Sequence, residues 1–456
     1  MAIVGAFMVP HPPLIVPSVG HGQQHQIENT VKAYHMVAEQ IEDLYPDTIV
    51  VISPHAPMYR DYIHISGEPS ARGDFGIFGV PEEKMDALYD ADFVDLLCSK
   101  AEDGQINAGN EGATDHLLDH ATMVPLYFVN QVYTNYQLVR IGICGLPYKT
   151  HFQLGEYIRQ VSEELNRRTV IIASGDLSHH LKDDGPYGYT PEGPEYDQKI
   201  MEIMEKADFA RLMELTPDFC EKAGECGHRS FVMMSGALKG LEVHPKKLSY
   251  EGPFGVGYGI CAYEIHYAIK DPYIKLAKRA LETFVKEGYM ITEKSIEEDM
   301  VIKETASEET ITQEEFRDIL EKRAGAFVCI KKYGQLRGCI GTIQATEDNL
   351  VSEMIHNAIS AGMYDPRFPP VNALELKDLV YSVDIMGETE TIDSPEQLDV
   401  KKYGVIVTSG SKRGLLLPNL EGVDAIEEQI AIARNKAGIR AGEKIKLERF
   451  EVIRHE

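Results

Sequence analysis

The chain has 456 residues, 43% of them apolar and 26% charged, long enough for two or three domains each with a core of its own. Acidic residues outnumber basic ones by 72 to 45, a formal charge of −27. That balance argues against a general nucleic-acid or anionic-membrane surface, which needs clustered Lys and Arg, and no apolar run approaches the length that spans a bilayer.

In chain order, residues 2–9 are apolar, have no basic stretch before them and run straight into prolines, which reads as a first strand rather than a signal peptide. His11 follows. Residues 26–44 place Ile27, Val31, Tyr34, Val37, Ile41 and Leu44 at helical spacing. A second strand, 48–52, ends in Ser53-Pro54-His55, and a polar, Gly-rich interval occupies 67–82. A helical pattern follows around 85–101. Residues 111–132 hold Asp115-His116 and Asp119-His120, then an apolar run. Strands are expected at 137–143, 169–173 and 257–267, and helices at 152–166, 195–205 and 230–241. This alternation predicts an α/β domain over 1–270, with a central, mostly parallel sheet and helices on both faces.

From Asp271 the character changes. A helix is expected at 273–287, then a Glu-rich loop or exposed segment at 292–312, then a hairpin spanning 325–343. Helices at 350–361 and 425–437 and strands at 379–386, 404–408 and 445–453 complete a smaller α+β domain, 271–456. The halves show no internal repeat.

The chemistry gathers at strand ends. Ligands of open α/β sheets bind beyond the carboxyl ends of the strands, where His11, His55 and His179 all fall. A single loop histidine is most often structural, but three in this context point to one site. Imidazoles suit Fe, Zn, Cu and Ni, and two imidazoles with a carboxylate suit an oxygen-activating Fe(II). The best context for a third ligand is Glu225-Cys226-Gly227-His228, which offers an acid, a thiol and an imidazole together. Asp176 is placed to fix the tautomer of His179. Asp119-His120 is either a further active-site pair or the solvated first turn of a helix. Seven scattered cysteines form no zinc ribbon and no disulfide framework, which predicts a reducing, cytoplasmic setting.

These motifs resemble a known family. His11-Pro-Pro, Ser53-Pro-His55-Ala-Pro, Asp119-His120, Ser174-Gly-Asp-Leu-Ser-His179 and Glu225-Cys-Gly resemble the catalytic chains of the class III extradiol ring-cleavage dioxygenases, and the Memo proteins that share their fold. The resemblance implies Fe(II) held by His11, His55 and Glu225, a catechol-like aromatic substrate and dioxygen. It also implies proton transfer by His179 and a hydrogen bond from His120. Memo proteins carry a cysteine where the dioxygenases use glutamate, so Cys226 in place of Glu225 would imply Zn or Cu.

Leu336-Arg-Gly-Cys-Ile-Gly341 and Asp365-Pro-Arg-Phe-Pro369 resemble the AMMECR domain. In it Arg337 and Cys339 could serve an anion or thiol site, although such a cysteine is more often inert and half-buried. The fused pair resembles proteins of the AmmeMemoRadiSam system, which implies a radical SAM partner and leaves the oligomeric state open. Three functions follow as expectations. The first is a non-haem iron oxygenase, the second a metal-dependent enzyme or modification factor without ring cleavage, and the third a non-enzymatic binding module.

Overall fold

The computed structural model describes residues 3–112, 117–266, 269–302, 311–420, 422–440 and 442–456, so Asp115 and His116 lie outside the described residues. The chain divides into two compact units, Met1–Tyr267 and Ala268–Glu456. Among the described residues no helix is long and apolar enough to cross a membrane.

The strands Ile3–Val9, Thr48–Ile52, Gln137–Ile141 and Thr169–Ser174 are runs of aliphatic and β-branched residues, buried almost throughout. Such runs, without alternation, are what a parallel sheet covered on both faces requires. The four strands lie parallel, with 48–52 between 137–141 and 169–174, and with 3–9 on the far side of 169–174. Two antiparallel strands, Tyr258–His266 and Glu242–Glu251, extend the sheet beyond Ile3–Val9. Successive residues feed opposite cores. Ala6, Met8, Val50 and Ile52 meet Phe93, Leu154, Ile200 and Val232 on one face. Phe7, Val9, Ile49 and Val51 meet Tyr34, Val37, Ile41 and Val124 on the other. Register brings three strand ends level, because Ile52 and Met8 both pair with Ala173, and Val9 pairs with Ser174.

Two parts of this unit differ from the periodicity reading. The polar interval 67–82 holds most of a hairpin, Ser70–Phe75 paired with Val80–Leu88, so the helix expected near 85 starts only at Ala91, capped by the Asp90 carboxylate. Small Ala71 and Gly73 alternate with exposed polar residues there, which masks the strand. Glu242–Glu251 is polar because it is an edge strand with most of its side chains exposed or half-exposed, and an edge tolerates Pro245.

The second unit holds two antiparallel sheets. Gln335–Gly341, Ala326–Lys332, Leu379–Met386 and Val452–His455 form one. The helices Pro272–Glu287 and Leu350–Met363 cover its inner face through Ala277, Leu281, Met354 and Ala358. Glu390–Ile392, Lys446–Phe450, Gly404–Ser409 and Lys412–Leu416 form the other, against which Ile430 and Ala433 of the helix Ile426–Lys436 pack. The single strand expected at 445–453 is therefore two strands, one in each sheet. Part of the expected exposed segment is the helix Glu293–Ile302, and residues 303–310 lie outside the described residues.

Candidate metal centre

His11 leaves its strand through Pro10, whose carbonyl accepts the hydroxyl of buried Tyr34. Its backbone N–H donates to Asp176 Oδ1 at 2.7 Å, and its Nδ1 lies 3.0 Å from Ser174 Oγ. Ser174 donates its own proton to the Ala121 carbonyl at 2.7 Å, so it can only accept from His11. The proton of His11 therefore sits on Nδ1, and the Nε2 lone pair is left free. Next to it, the loop beyond Ile52 is held by Ser53, whose hydroxyl accepts the His55 N–H at 3.1 Å and donates to Asp119 Oδ1 at 2.6 Å. The His55 ring stands 5.0 Å from that of His11 and 4.3 Å from that of His120. Asp119 is also the N-cap of the helix His120–Val129, accepting from the Thr122 N–H. One short motif thus starts a helix and delivers an imidazole.

The third donor arrives from 215 residues away. The helix Pro217–Ala223 stops at Gly224, which is left-handed at φ 65°, and the next helix, His228–Ala237, starts after Glu225-Cys226-Gly227. This turn lies against the end of the Thr169–Ser174 strand so closely that a Cβ on Gly175 would stand 2.1 Å from the Gly227 Cα. The approach sets Cys226 Sγ 3.6 Å from His11 Nε2 and 3.3 Å from the Asp176 backbone N–H, which donates to it. Donor atoms of His11, His55 and Cys226 all lie within 4.8 Å of one another.

Glu225 turns the other way. Its carboxylate accepts the His228 N–H at 2.5 Å, at the positive end of a helix dipole, with the Tyr196 hydroxyl bonded to it and Arg229 nearby. The structure thus gathers His11, His55 and Cys226 and places Glu225 as a helix cap. Gly175→Ala is expected to push the 225–227 turn away from the strand end and to lower metal retention at least about tenfold, the scale on which groups that orient ligands act. Metal retained after dialysis, with the circular dichroism spectrum as a control for folding, measures it.

Residues 5–261 match the family model of the catalytic LigB subunit of aromatic ring-opening dioxygenase, which is more than half of the chain. The chain belongs to the LigB family. Residues 275–455 match AMMECR1, so a LigB domain is fused to an AMMECR1 domain. A Clostridium acetobutylicum protein is 40% identical over 100% of this chain and 99% of its own length. A Thermotoga maritima protein is 46% identical over 40% of this chain and 97% of its own. Among solved structures, an uncharacterized Pyrococcus horikoshii protein aligns at 29% identity and TM-score 0.33, covering 41% of this chain and 93% of that one.

The electrostatics of the LigB domain suit a cation. Burial, followed by the charges of His55, His120 and His179, holds the His11 imidazole well below its ordinary pKa. Partial desolvation by its neighbours also lowers His55, whose outer edge is exposed, and burial with His55 beside it brings His120 down to about 4. All three are neutral near pH 7 and free to ligate. The Cys226 thiol is pushed well up, first by burial and then by Asp176 and Glu225, so it ionises only against a nearby positive charge. Two imidazoles and a thiol form a donor set for Zn or Cu.

The remaining expected residues surround this group. His179 Nδ1 donates to the Gly224 carbonyl at 2.5 Å, so that carbonyl, not Asp176, fixes its tautomer and leaves Nε2 open. Asp176 instead anchors the His11 backbone, and burial raises its carboxyl to about 7. Sequence periodicity gave no sign of Phe78, at the tip of the unexpected hairpin and 5.5 Å from the His120 ring, or of Tyr187, exposed and 5.1 Å from the His179 ring. Periodicity does not single out Arg140 either, although an arginine within Leu-Val-Arg-Ile is itself a signal. Its guanidinium is fully buried and stands 3.6 Å from Asp119.

Proposed function

We propose that the LigB domain is a metal-dependent enzyme of the Memo type, with its ion held by His11, His55 and Cys226, working with a radical SAM protein of the same system. The opposed directions of Cys226 and Glu225 carry this reading, because the thiol faces the imidazoles while the carboxylate caps a helix. A thiolate with two imidazoles suits Zn(II) or Cu(I). When bound, such an ion supplies Lewis acidity or a one-electron couple.

The chain's own residues do the rest. His55 is exposed, so substrate approaches the donors from its side. His179 presents a free Nε2 that takes a proton from a bound hydroxyl and returns it to product. Phe78 and Tyr187 flank the imidazoles and favour a small aromatic or apolar substrate. Cys226 is a free thiol and so is available as a ligand.

A second reading keeps the ring-opening chemistry of the family, with Fe(II), a catechol and dioxygen. It is favoured by the family match and by four imidazoles in one cluster. It requires Glu225 to leave the His228 N–H and replace Cys226. Metal identity and stoichiometry in protein purified without added metal separate the two. Zinc or copper near one per chain, with no oxygen uptake across a catechol panel after anaerobic Fe(II) loading, is the expected result. Catechol-dependent oxygen uptake with a coloured ring-cleavage product would establish the second reading instead.

A further inference from the structure

Cys329 and Cys339 face each other across the hairpin of the AMMECR1 domain, with Cα atoms 4.1 Å apart and the sulfurs bonded. Directly opposed residues in an antiparallel ladder alternate between wide, hydrogen-bonded sites and narrow sites without mutual hydrogen bonds, and only the narrow ones bring Cα atoms this close. At a narrow site the backbone N–H and C=O of each residue point away from the partner strand. Gln335–Gly341 is the edge of its sheet, so those groups of Cys339 would face outward with no strand to meet them.

A side-chain pair meets them instead. Asp365 Oδ2 accepts the Cys339 N–H at 2.9 Å, and Arg367 Nη2 donates to the Cys339 carbonyl at 3.0 Å. Arg367 and Asp365 are themselves joined by two bonds of 2.9 and 2.6 Å. Cys339 is thus clamped from outside the hairpin, whatever its sulfur does. On the neighbouring strand Ala326, Val328 and Ile330 are buried while Cys329 is half-exposed, as is Cys339. The pair therefore lies on the more open face of the sheet, within reach of a reductant. The bridge closes a loop with a sequence separation of only 10, so its opening costs less than opening a long loop would. The other five cysteines are free.

We propose that Cys329 and Cys339 form a redox-active site that exchanges electrons with an external protein dithiol. A thiolate of the donor attacks one sulfur of the bridge and forms a mixed disulfide. The Cys329–Cys339 bond breaks, and the released thiolate takes up a proton. The second donor thiol then attacks the mixed disulfide, frees the other cysteine and leaves as the donor's own disulfide. Two electrons and two protons pass from donor to hairpin. The Asp365–Arg367 clamp and the strand ladder hold the two thiols opposed, so the reverse reaction needs no search.

The test uses the full-length protein without denaturant, equilibrated over graded ratios of reduced to oxidised dithiothreitol, quenched with acid, alkylated and mapped by peptide mass. The linked hairpin peptide should give way reversibly to one alkylated at both Cys329 and Cys339. Thioredoxin with its reductase should consume about one NADPH per oxidised chain. Cys329→Ser should abolish the linked peptide and leave Cys339 alkylated at every ratio; should that variant fail to fold, the wild-type titration decides alone. Absence of the linked peptide under full oxidation overturns the proposal. So does reduction that occurs only after denaturation, or a lack of NADPH consumption.

Discussion

Cys226→Ser should strip the LigB domain of its metal, lowering affinity by more than about a hundredfold, since even groups that only orient ligands are worth roughly 10–100-fold. Glu225→Gln should retain the metal. An amide oxygen still accepts the His228 N–H. Because burial raises the Glu225 carboxyl to about 7, the charge lost at that helix end is only partial near neutrality and costs at most about 1 kcal/mol. Metal content after dialysis against a graded chelator, measured on both variants, reads this directly. If Glu225→Gln empties the site and Cys226→Ser does not, the assignment is wrong. Binding should also carry a defined pH dependence. The Cys226 thiol stays protonated through neutrality because burial and two carboxylates raise its pKa, while the lowered imidazoles hold no proton there. Each ion bound then releases about one proton, so apparent affinity should climb about tenfold per pH unit from roughly pH 6.5 to 8.

Arg140→Met should destabilise the LigB domain by about 3–5 kcal/mol, the usual result of removing one partner from a buried ion pair. The guanidinium donates to the Leu117 carbonyl at 2.7 Å and to Ser66 Oγ at 2.9 Å, and it faces an Asp119 side chain only 9% exposed. Methionine fills most of the volume and leaves that carboxylate without its cation. For a unit of this size the melting temperature should fall by roughly 10 °C. The damage should reach the metal centre, because Asp119 also holds Ser53, and through it the His55 loop. Adding Asp119→Asn to Arg140→Met should recover part of the loss, a coupling that a purely steric defect would not show. A change below about 1 kcal/mol in chemical unfolding would count against this account.

What was legible in the sequence follows physical range. Val50 to Ile52 and Val170 to Ala173 are apolar on both faces and rich in β-branched residues, as a covered parallel strand requires, so the sheet and the histidines at its ends could be read locally. The choice between Glu225 and Cys226 could not. Adjacent residues in a turn point in directions set by what touches the turn, here the Gly175–Gly227 approach and the open N-terminus of the helix at His228. An acid three residues before that helix residue was the available hint for a cap. The hairpin at 70–88 escaped for a related reason, since the buried positions of its first strand include small Ala71 and Gly73, and only Phe75, Val80 and Met85 are large and apolar. The disulfide was invisible because cysteines ten residues apart become neighbours only once the turn between them fixes the strand register.

The spacing of the three donors has a consequence for biosynthesis. His11 and His55 leave the ribosome early, but no ion can be gripped until Cys226 has emerged and the Thr169–Ser174 strand has slotted between its neighbours. The last strand of that sheet ends at His266, ahead of the AMMECR1 domain. The centre can therefore be charged on the nascent chain while its second half is still being translated. Stalled chains long enough to carry His266 clear of the ribosome should already capture the ion, and those ending before Cys226 should not.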